Sequence, residues 1–126
     1  AGVPARIEPF IDDMAAAYSW ADLVICRAGA LTVSELAAAG VGAILVPYPF
    51  AVDDHQTRNA AYLADAGAGV VIQQADLNIE HLRETLTDWC ADRAILLRRA
   101  AAARALARID AAERVAEQCL EVARGA

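Results

Sequence analysis

Short apolar runs alternate with helix-type segments along this chain, and this alternation constrains the fold more than any other feature. Three of the runs, at residues 23–26, 43–46 and 70–72, consist wholly of apolar residues. Strands that are buried on both faces have this composition, whereas half-exposed strands alternate apolar and polar residues. Strands that alternate with helices form a parallel sheet with helices on its faces. The sequence therefore predicts an α/β fold.

A weaker fourth strand is predicted at residues 5–10, and Gly40 and Gly67 are expected to end helices. Helices are predicted at residues 14–20, 32–39, 53–66, 79–89, 93–109 and 111–123. A nucleotide-binding doubly wound sheet usually has six strands. We therefore expect residues 1–126 to form a partial doubly wound (Rossmann-like) parallel sheet of about four strands. Flanking helices and a C-terminal helical tail complete it, and the first strands of the domain are expected to be missing.

Helix caps can be assigned from the residues that precede two of these segments. Asp12 or Asp13 is placed to cap the helix at residues 14–20, and Asn78 the helix at residues 79–89. In the latter helix, Ile79, Leu82, Leu86 and Trp89 recur at helical spacing. We expect these four side chains to form its buried face.

Composition and charge exclude several classes of protein. The chain has 126 residues, of which 58% are hydrophobic, so a packed core is expected. Its net charge of −6 argues against a nucleic-acid binder, because phosphate binding needs clustered positive charge. No apolar run reaches the ~20 residues that cross a bilayer, and the first residues do not resemble a secretory signal. A cytoplasmic protein is the resulting expectation.

The cysteines add support for a reducing compartment. Cys26, Cys90 and Cys119 are odd in number and share no metal-ligand spacing. We expect them to be reduced and mostly buried. The arginines at positions 93, 98, 99, 104 and 108 are expected to form a solvated helix face opposite Leu96, Leu97 and Leu106, rather than a lipid-binding surface.

The first candidate site lies where the strand at residues 23–26 leads into a helix through Arg27, Ala28 and Gly29. Gly29 is expected to adopt unusual backbone angles, and the small neighbouring side chains would let a ligand approach closely. The unpaired amides near Leu31, with the helix dipole behind them, would suit a diphosphate. Glu35, one turn further, could accept hydrogen bonds from a ribose diol.

A purely structural interpretation of the same residues is equally concrete. Thr32 and Glu35 have the spacing of a capping box, in which Thr caps the helix and Glu bonds back to it. From spacing alone, the cap is the preferred interpretation.

The second candidate site follows the run at residues 43–46 and the proline-containing loop after it. Gln56 and Asn59 share one helix face, and His55 lies beside Asn59. Amides both donate and accept hydrogen bonds, as sugar hydroxyls require. A solvated first turn, in which Asp53 and Asp54 serve the helix dipole, is the structural alternative. No metal site is expected, because no second histidine is near.

Three motifs in order resemble the donor-site signature of the MurG family of glycosyltransferases. They are RAGALTVSE at residues 27–35, a strand ending in VPYPF at residues 46–50, and DDHQTRNA at residues 53–60. FIDDM at residues 10–14 is similar to the loop of that family that contacts uracil. The resemblance extends over nearly the whole chain. It implies the latter part of the C-terminal, UDP-sugar-binding domain of the two-domain GT-B fold.

The resemblance also implies roles for individual residues. Backbone groups of Ile11 would contact the uracil, and backbone amides would bind the diphosphate. Glu35 would bind the ribose, and Gln56 would bind the N-acetylglucosamine. Arg27 would brace the loop or balance the diphosphate charge. The full set of implied donor-binding residues is Ile11, Met14, Arg27, Ala30, Leu31, Thr32, Val33, Ser34, Glu35, His55, Gln56 and Asn59. No catalytic residue, metal or cofactor is implied within this chain.

The activity implied by the resemblance is the inverting transfer of N-acetylglucosamine from UDP-N-acetylglucosamine to undecaprenyl-diphospho-muramoyl-pentapeptide (lipid I to lipid II) in peptidoglycan synthesis. The lipid-linked acceptor would bind an N-terminal domain that these residues do not include, at the inner face of the bacterial plasma membrane. This chain alone is expected to be inactive, and an open sheet edge could pair with a second copy.

Three alternatives remain open at this point. The chain could be the small subunit of a split UDP-N-acetylglucosamine transferase, whose acceptor domain is a separate polypeptide. It could be a sugar-nucleotide epimerase, although the carboxylates and histidine of such a site cannot be placed in these loops. It could also be a non-catalytic α/β interaction module in which both motifs only cap helices.

Overall fold

The computed structural model describes residues 4–50 and 55–107. Three strands and five helices form it, together with a short 3-10 turn at Gln74–Asp76. The strands are β1 (Leu23–Cys26), β2 (Gly42–Leu45) and β3 (Gly69–Val71). The helices are α1 (Met14–Trp20), α2 (Ala30–Ala39), α3 (His55–Asp65), α4 (Ile79–Cys90) and α5, which occupies residues 93–107 as far as the described residues extend.

The three strands form a parallel sheet in the order β1-β2-β3. Leu23 pairs with Gly42, and Ala43 pairs with Gly69. Because neighbours in the sheet are also consecutive in the chain, the winding proceeds in one direction, as in one half of a doubly wound sheet. The predicted α/β class and parallel sheet are thus confirmed, with three strands in place of about four.

The predicted strand at residues 5–10 is wrong, since the structure has no strand between residues 4 and 22. This segment is exposed, with Ile7 at 95%. Arg6 and Glu8 pair with each other in solvent at 2.8 Å, and Pro9 has no N–H to give to a ladder. A strand is stable only when it is hydrogen-bonded to a partner strand. Among the described residues, this segment makes no such strand-to-strand hydrogen bonds.

The core has two parts, one on each face of β2. On one face Leu36 of α2 and Leu63 of α3 pack with Ala43 and Leu45. On the other face Ile44 packs with Ile72, and with Trp89, Leu82 and Leu86 from α4. All four residues of β2 are buried, so the expectation of a strand covered on both faces is confirmed there.

The predicted helix caps are confirmed. The Asp13 side chain accepts a hydrogen bond from the Ala16 N–H at 2.9 Å, and the Asn78 side chain accepts one from the His81 N–H at 2.8 Å. Gly40 ends α2 with a φ of 72°, in the left-handed region, and Gly67 follows α3 with a φ of 84°. Both glycines therefore stop helices as the sequence indicates.

Three predictions about exposure are wrong. Ile79 was expected on the buried face of α4 but is 78% exposed, because it lies in the first turn, before the first residue that packs on the sheet. Leu97 is exposed rather than packed, and Cys90 is exposed while Cys26 is half-buried. Cys119, the predicted helix at residues 111–123, and Asp53 and Asp54 lie outside the described residues.

The expected solvated arginine face of α5 is only partly correct. The Arg99 guanidinium stacks on the Trp89 ring, 4.2 Å from its centroid, and donates a hydrogen bond to the Gly67 carbonyl at 3.2 Å. Burial, followed by the charge of Arg98, lowers the pKa of Arg99. Arg99 therefore links α5 to α4 and to the segment before β3, and is half-buried rather than fully in solvent. Among the described residues, no helix is long and apolar enough to cross a membrane.

We predict that Gly40→Ala destabilises the chain more than Gly67→Ala does. Both glycines have positive φ, where a Cβ costs roughly 1–2 kcal/mol. A Cβ at Gly67 would meet nothing within 4 Å, whereas one at Gly40 would collide with the Arg104 side chain. Urea unfolding of both variants measures the difference. An equal loss of unfolding free energy in both variants, or a larger loss in Gly67→Ala, would show that the contact with Arg104 does not affect stability.

Candidate functional site

The first turn of α2 presents backbone amides without a partner inside the helix at the carboxyl edge of the sheet. Gly29 is the N-cap, and among the described residues no side-chain hydrogen bond caps the helix. The first helical hydrogen bond runs from the Val33 N–H to the Gly29 carbonyl at 3.0 Å. The N–H groups of Ala30, Leu31 and Thr32 therefore have no acceptor within the helix. This end carries the positive pole of the helix dipole and suits an anion.

The capping-box interpretation of Thr32 and Glu35 is wrong. The helix begins two residues earlier than predicted, so Thr32 is its third residue and not its cap. The expected unusual backbone at Gly29 is also wrong, since its φ of −64° and ψ of 151° are ordinary extended values. What Gly29 provides is space, because an added Cβ would have only Thr32 Oγ1 within 4 Å, at 3.8 Å.

Glu35 has a partner that the sequence analysis did not single out. Tyr18 of α1 is 7% exposed and packs in the core beside Val33 and Leu36. Burial, and next the negative charge of the Glu35 carboxylate, raise the pKa of Tyr18. The Tyr18 phenol therefore stays protonated close to Glu35, which is half-buried one turn inside α2. Tyr18 was recognisable in sequence only as part of an apolar helix face.

Two amide side chains of α3 hold the loop between β1 and α2. The Gln56 Oε1 accepts hydrogen bonds from the Ala28 N–H at 3.2 Å and from the Tyr48 N–H at 2.8 Å. The Asn59 Nδ2 donates to the Ala28 carbonyl at 2.9 Å. Ala28 itself is fully buried. The structure therefore brings Gln56 and Asn59 together on the backbone of one residue, Ala28, in the neighbouring loop.

Arg27 links the same loop to the loop that follows β2. Its Nη1 lies 3.4 Å from the carbonyl oxygens of both Val46 and Pro47, and its guanidinium lies 5.6 Å from the centroid of the Tyr48 ring. Tyr48 in turn meets Phe50 edge to face, with centroids 5.6 Å apart. These contacts brace the two loops against each other at the edge of the sheet.

The remaining predicted site residues lie on α1, α2 and α3 and in the segment before α1. Val33 is buried beneath the first turn of α2, and Ser34 is exposed on that helix. His55 is exposed, with its Nδ1 3.0 Å from Arg58 Nη2. Ile11, at 43% exposure, and Met14, at 38%, belong to the α1 side, where Ile11 lines an open groove of about 880 Å³.

Metal-ligating groups are not gathered at this edge. Within residues 4–50 and 55–107, no three His, Cys, Asp or Glu side chains lie close enough together to hold a metal ion. Cys26 ends β1 directly before the loop, and burial raises the pKa of its thiol to about 11. A thiol of that pKa is neutral at physiological pH and a poor nucleophile.

Fold and site together define a class of protein. At the carboxyl edge of a parallel sheet lie an uncapped helix end, a half-buried carboxylate and two loops that contact each other. Ligands of such sheets bind at this edge. Residues 2–115 match the family described as "Glycosyltransferase family 28 C-terminal domain". The chain belongs to this family.

Individual relatives agree with this assignment. The chain is 64% identical to a Marinobacter nauticus protein and 58% identical to a Nitrosococcus oceani protein, over 125 residues and 99% of the chain in each case. Both are named UDP-N-acetylglucosamine–N-acetylmuramyl-(pentapeptide) pyrophosphoryl-undecaprenol N-acetylglucosamine transferase. The chain spans 34% and 35% of their lengths, about a third of each.

A solved structure shows the same fold. The crystal structure of Acinetobacter baumannii MurG superimposes with a TM-score of 0.74 at 55% sequence identity. The match covers 79% of this chain and 28% of that one. The resemblance to the MurG family inferred from three motifs is thereby confirmed.

We predict that Cys26 is labelled by iodoacetamide at pH 8 roughly tenfold or more slowly than Cys90, because only a thiolate reacts and Cys26 is half-buried with a raised pKa. Peptide mapping by mass spectrometry follows each cysteine separately. In urea the two rates should converge. Equal rates in the folded chain would contradict the burial of the Cys26 thiol.

Proposed function

We propose that this chain is the C-terminal part of the UDP-sugar-binding domain of an inverting GT-B glycosyltransferase. The enzyme would transfer N-acetylglucosamine from UDP-N-acetylglucosamine to undecaprenyl-diphospho-muramoyl-pentapeptide in peptidoglycan synthesis. Family membership and the names of the relatives support this reaction. Since the chain spans about a third of those relatives, the acceptor site and the first strands of the donor domain would lie in the other two thirds.

The observation that carries the proposal is the uncapped N-terminus of α2. Three amides, those of Ala30, Leu31 and Thr32, lack helical acceptors, and Gly29 leaves open space in front of them. A diphosphate bears the charge and the acceptor oxygens that these groups need. The same groups would stabilise the UDP leaving group as charge develops on it during transfer. The proposed chemistry uses no metal and no cofactor.

The nucleoside would extend from the diphosphate toward α1. Glu35 lies one turn deeper than the free amides, with its carboxylate close to the Tyr18 hydroxyl. A carboxylate accepts hydrogen bonds from both hydroxyls of a ribose. Ile11 and Met14, exposed on the α1 side, would contact the uracil, through the backbone of Ile11.

The sugar would lie toward α3. The carbonyl of Gln56 is occupied by two backbone N–H groups, so its NH2 group is the part of the side chain that can donate to a sugar hydroxyl. His55, Asn59 and the exposed Ser34 would line the same pocket. Arg27, held by two carbonyls of the next loop, would brace the pocket and offset the diphosphate charge. The catalytic base would come from the acceptor-binding domain.

Partners and location follow from the same proposal. The enzyme would work at the cytoplasmic face of the plasma membrane, where its lipid-linked acceptor lies, and would bind no nucleic acid. The outer edge of β1, where Ile25 is 46% exposed, would be covered by the missing strands or by a second copy. A chain in which both motifs only cap helices is less well supported, because the capping box is not formed.

The test uses a chimera in which this chain replaces the matching segment of the Marinobacter nauticus relative, so that a complete transferase is present. Calorimetry should show binding of UDP and UDP-N-acetylglucosamine. Glu35→Ala should weaken UDP binding roughly tenfold or more, because a hydrogen bond to a charged group is worth about 1.5–3 kcal/mol. Its melting temperature should stay within a few degrees.

Two comparisons make this test specific. Glu84→Ala removes an exposed carboxylate from α4, which packs on the opposite face of the sheet, and should leave UDP binding unchanged. The wild-type chimera should prefer UDP to 2′-deoxy-UDP, and Glu35→Ala should abolish that preference. If the wild type binds neither UDP nor UDP-N-acetylglucosamine, or Glu35→Ala binds UDP normally, the proposed site is wrong.

A further inference from the structure

The loop between β1 and α2, which would contact the diphosphate, is held in place by side chains of α3. Ala28 is fully buried, so its peptide N–H and carbonyl have no access to water. Both groups are satisfied by side chains 28 and 31 residues further along the chain, those of Gln56 and Asn59. Buried backbone groups need such partners, and losing one is costly. The position of Ala28 therefore depends on α3.

The orientation of both amides follows from chemistry. Two backbone N–H donors, of Ala28 and Tyr48, converge on one terminal atom of Gln56 at 3.2 and 2.8 Å. An amide nitrogen cannot accept them, so this atom is the carbonyl oxygen. The terminal atom of Asn59 that faces the Ala28 carbonyl oxygen at 2.9 Å must by the same reasoning be its NH2 group.

Ala28 is separated from the first turn of α2 by Gly29 alone. Gly29 has no side chain with which to fix the direction of the turn that follows it. The direction in which the Ala30 and Leu31 N–H groups point therefore depends on the position of the Ala28 backbone. A helix end that binds an anion works best when its N–H groups are held in place before the anion arrives.

We propose that Gln56 and Asn59 are positioning residues for the diphosphate. They clamp the backbone N–H and carbonyl of Ala28, and this holds the amides of α2 in their binding arrangement. This inference rests on the proposed function. It gives the two α3 amides a role beyond the sugar that the family resemblance assigns to them. UDP, which has no sugar, should depend on them.

The test compares two ligands in the chimeric transferase. Asn59→Ala should weaken UDP roughly tenfold, which corresponds to about 1.4 kcal/mol. It should weaken UDP-N-acetylglucosamine by a similar factor. A residue that touches only the sugar would instead weaken UDP-N-acetylglucosamine and leave UDP unchanged. That second result would overturn the clamp while leaving the proposed function intact.

A matched control lies on the same helix. Thr57 also makes one side-chain hydrogen bond, accepting from Gln73 Nε2 at 3.3 Å, but it has no hydrogen bond to Ala28. Thr57→Ala should bind UDP as the wild type does. An equal loss in Thr57→Ala would mean that any damage to α3 weakens UDP binding, and the specific clamp would be refuted.

A second measurement needs no ligand. In the free chimera, Gln56→Ala should accelerate amide hydrogen exchange in the segments that contain Ala28 and Tyr48, whose N–H groups lose their acceptor, whereas Thr57→Ala should not. Unchanged exchange at both segments would overturn the clamp. If the exchange result holds but wild-type UDP binding is absent, the proposed function is wrong and the clamp is only structural.

Discussion

The burial of β2 on both faces is the constraint on which the rest of this structure depends. Its four residues are inaccessible, with α2 and α3 on one side and α4 on the other. Because β1 and β3 run parallel to it, the loops after the strands meet at one edge of the sheet. Those loops contain the backbone groups of Ala28 and Tyr48 to which Gln56 and Asn59 bond, so the site is a consequence of the strand arrangement.

The site combines groups that are left open with groups that are tightly held. The first amides of α2 have no cap, whereas Ala28, two residues before the helix, is buried and bonded at both its N–H and its carbonyl. Arg27 adds contacts that hold the loop, and Tyr18 lies close to the Glu35 carboxylate. This division is typical of a preorganised anion site, where the binding groups must be free and their supports must be rigid.

Sequence patterns predicted some elements to the residue and failed elsewhere for physical reasons. The helix Met14–Trp20 and the strand Leu23–Cys26 were correct, because both have clear periodicity and clear boundaries. The strand at residues 5–10 failed, since β propensity without a partner strand forms no ladder. The start of α2 was placed two residues late, because Thr32 and Glu35 imitate a cap that only the backbone angles at Gly29 could exclude.

By itself, the sequence determined the α/β class, the caps at Asp13 and Asn78 and the motifs that place the chain in its family, because these depend on local patterns of apolar, polar and glycine residues. Only the tertiary structure decided which atoms of Gln56 and Asn59 are occupied, that Tyr18 is buried close to Glu35, and that Arg99 covers Trp89. Those contacts join residues from different elements. Their existence depends on how helices cross the sheet, which no local pattern records.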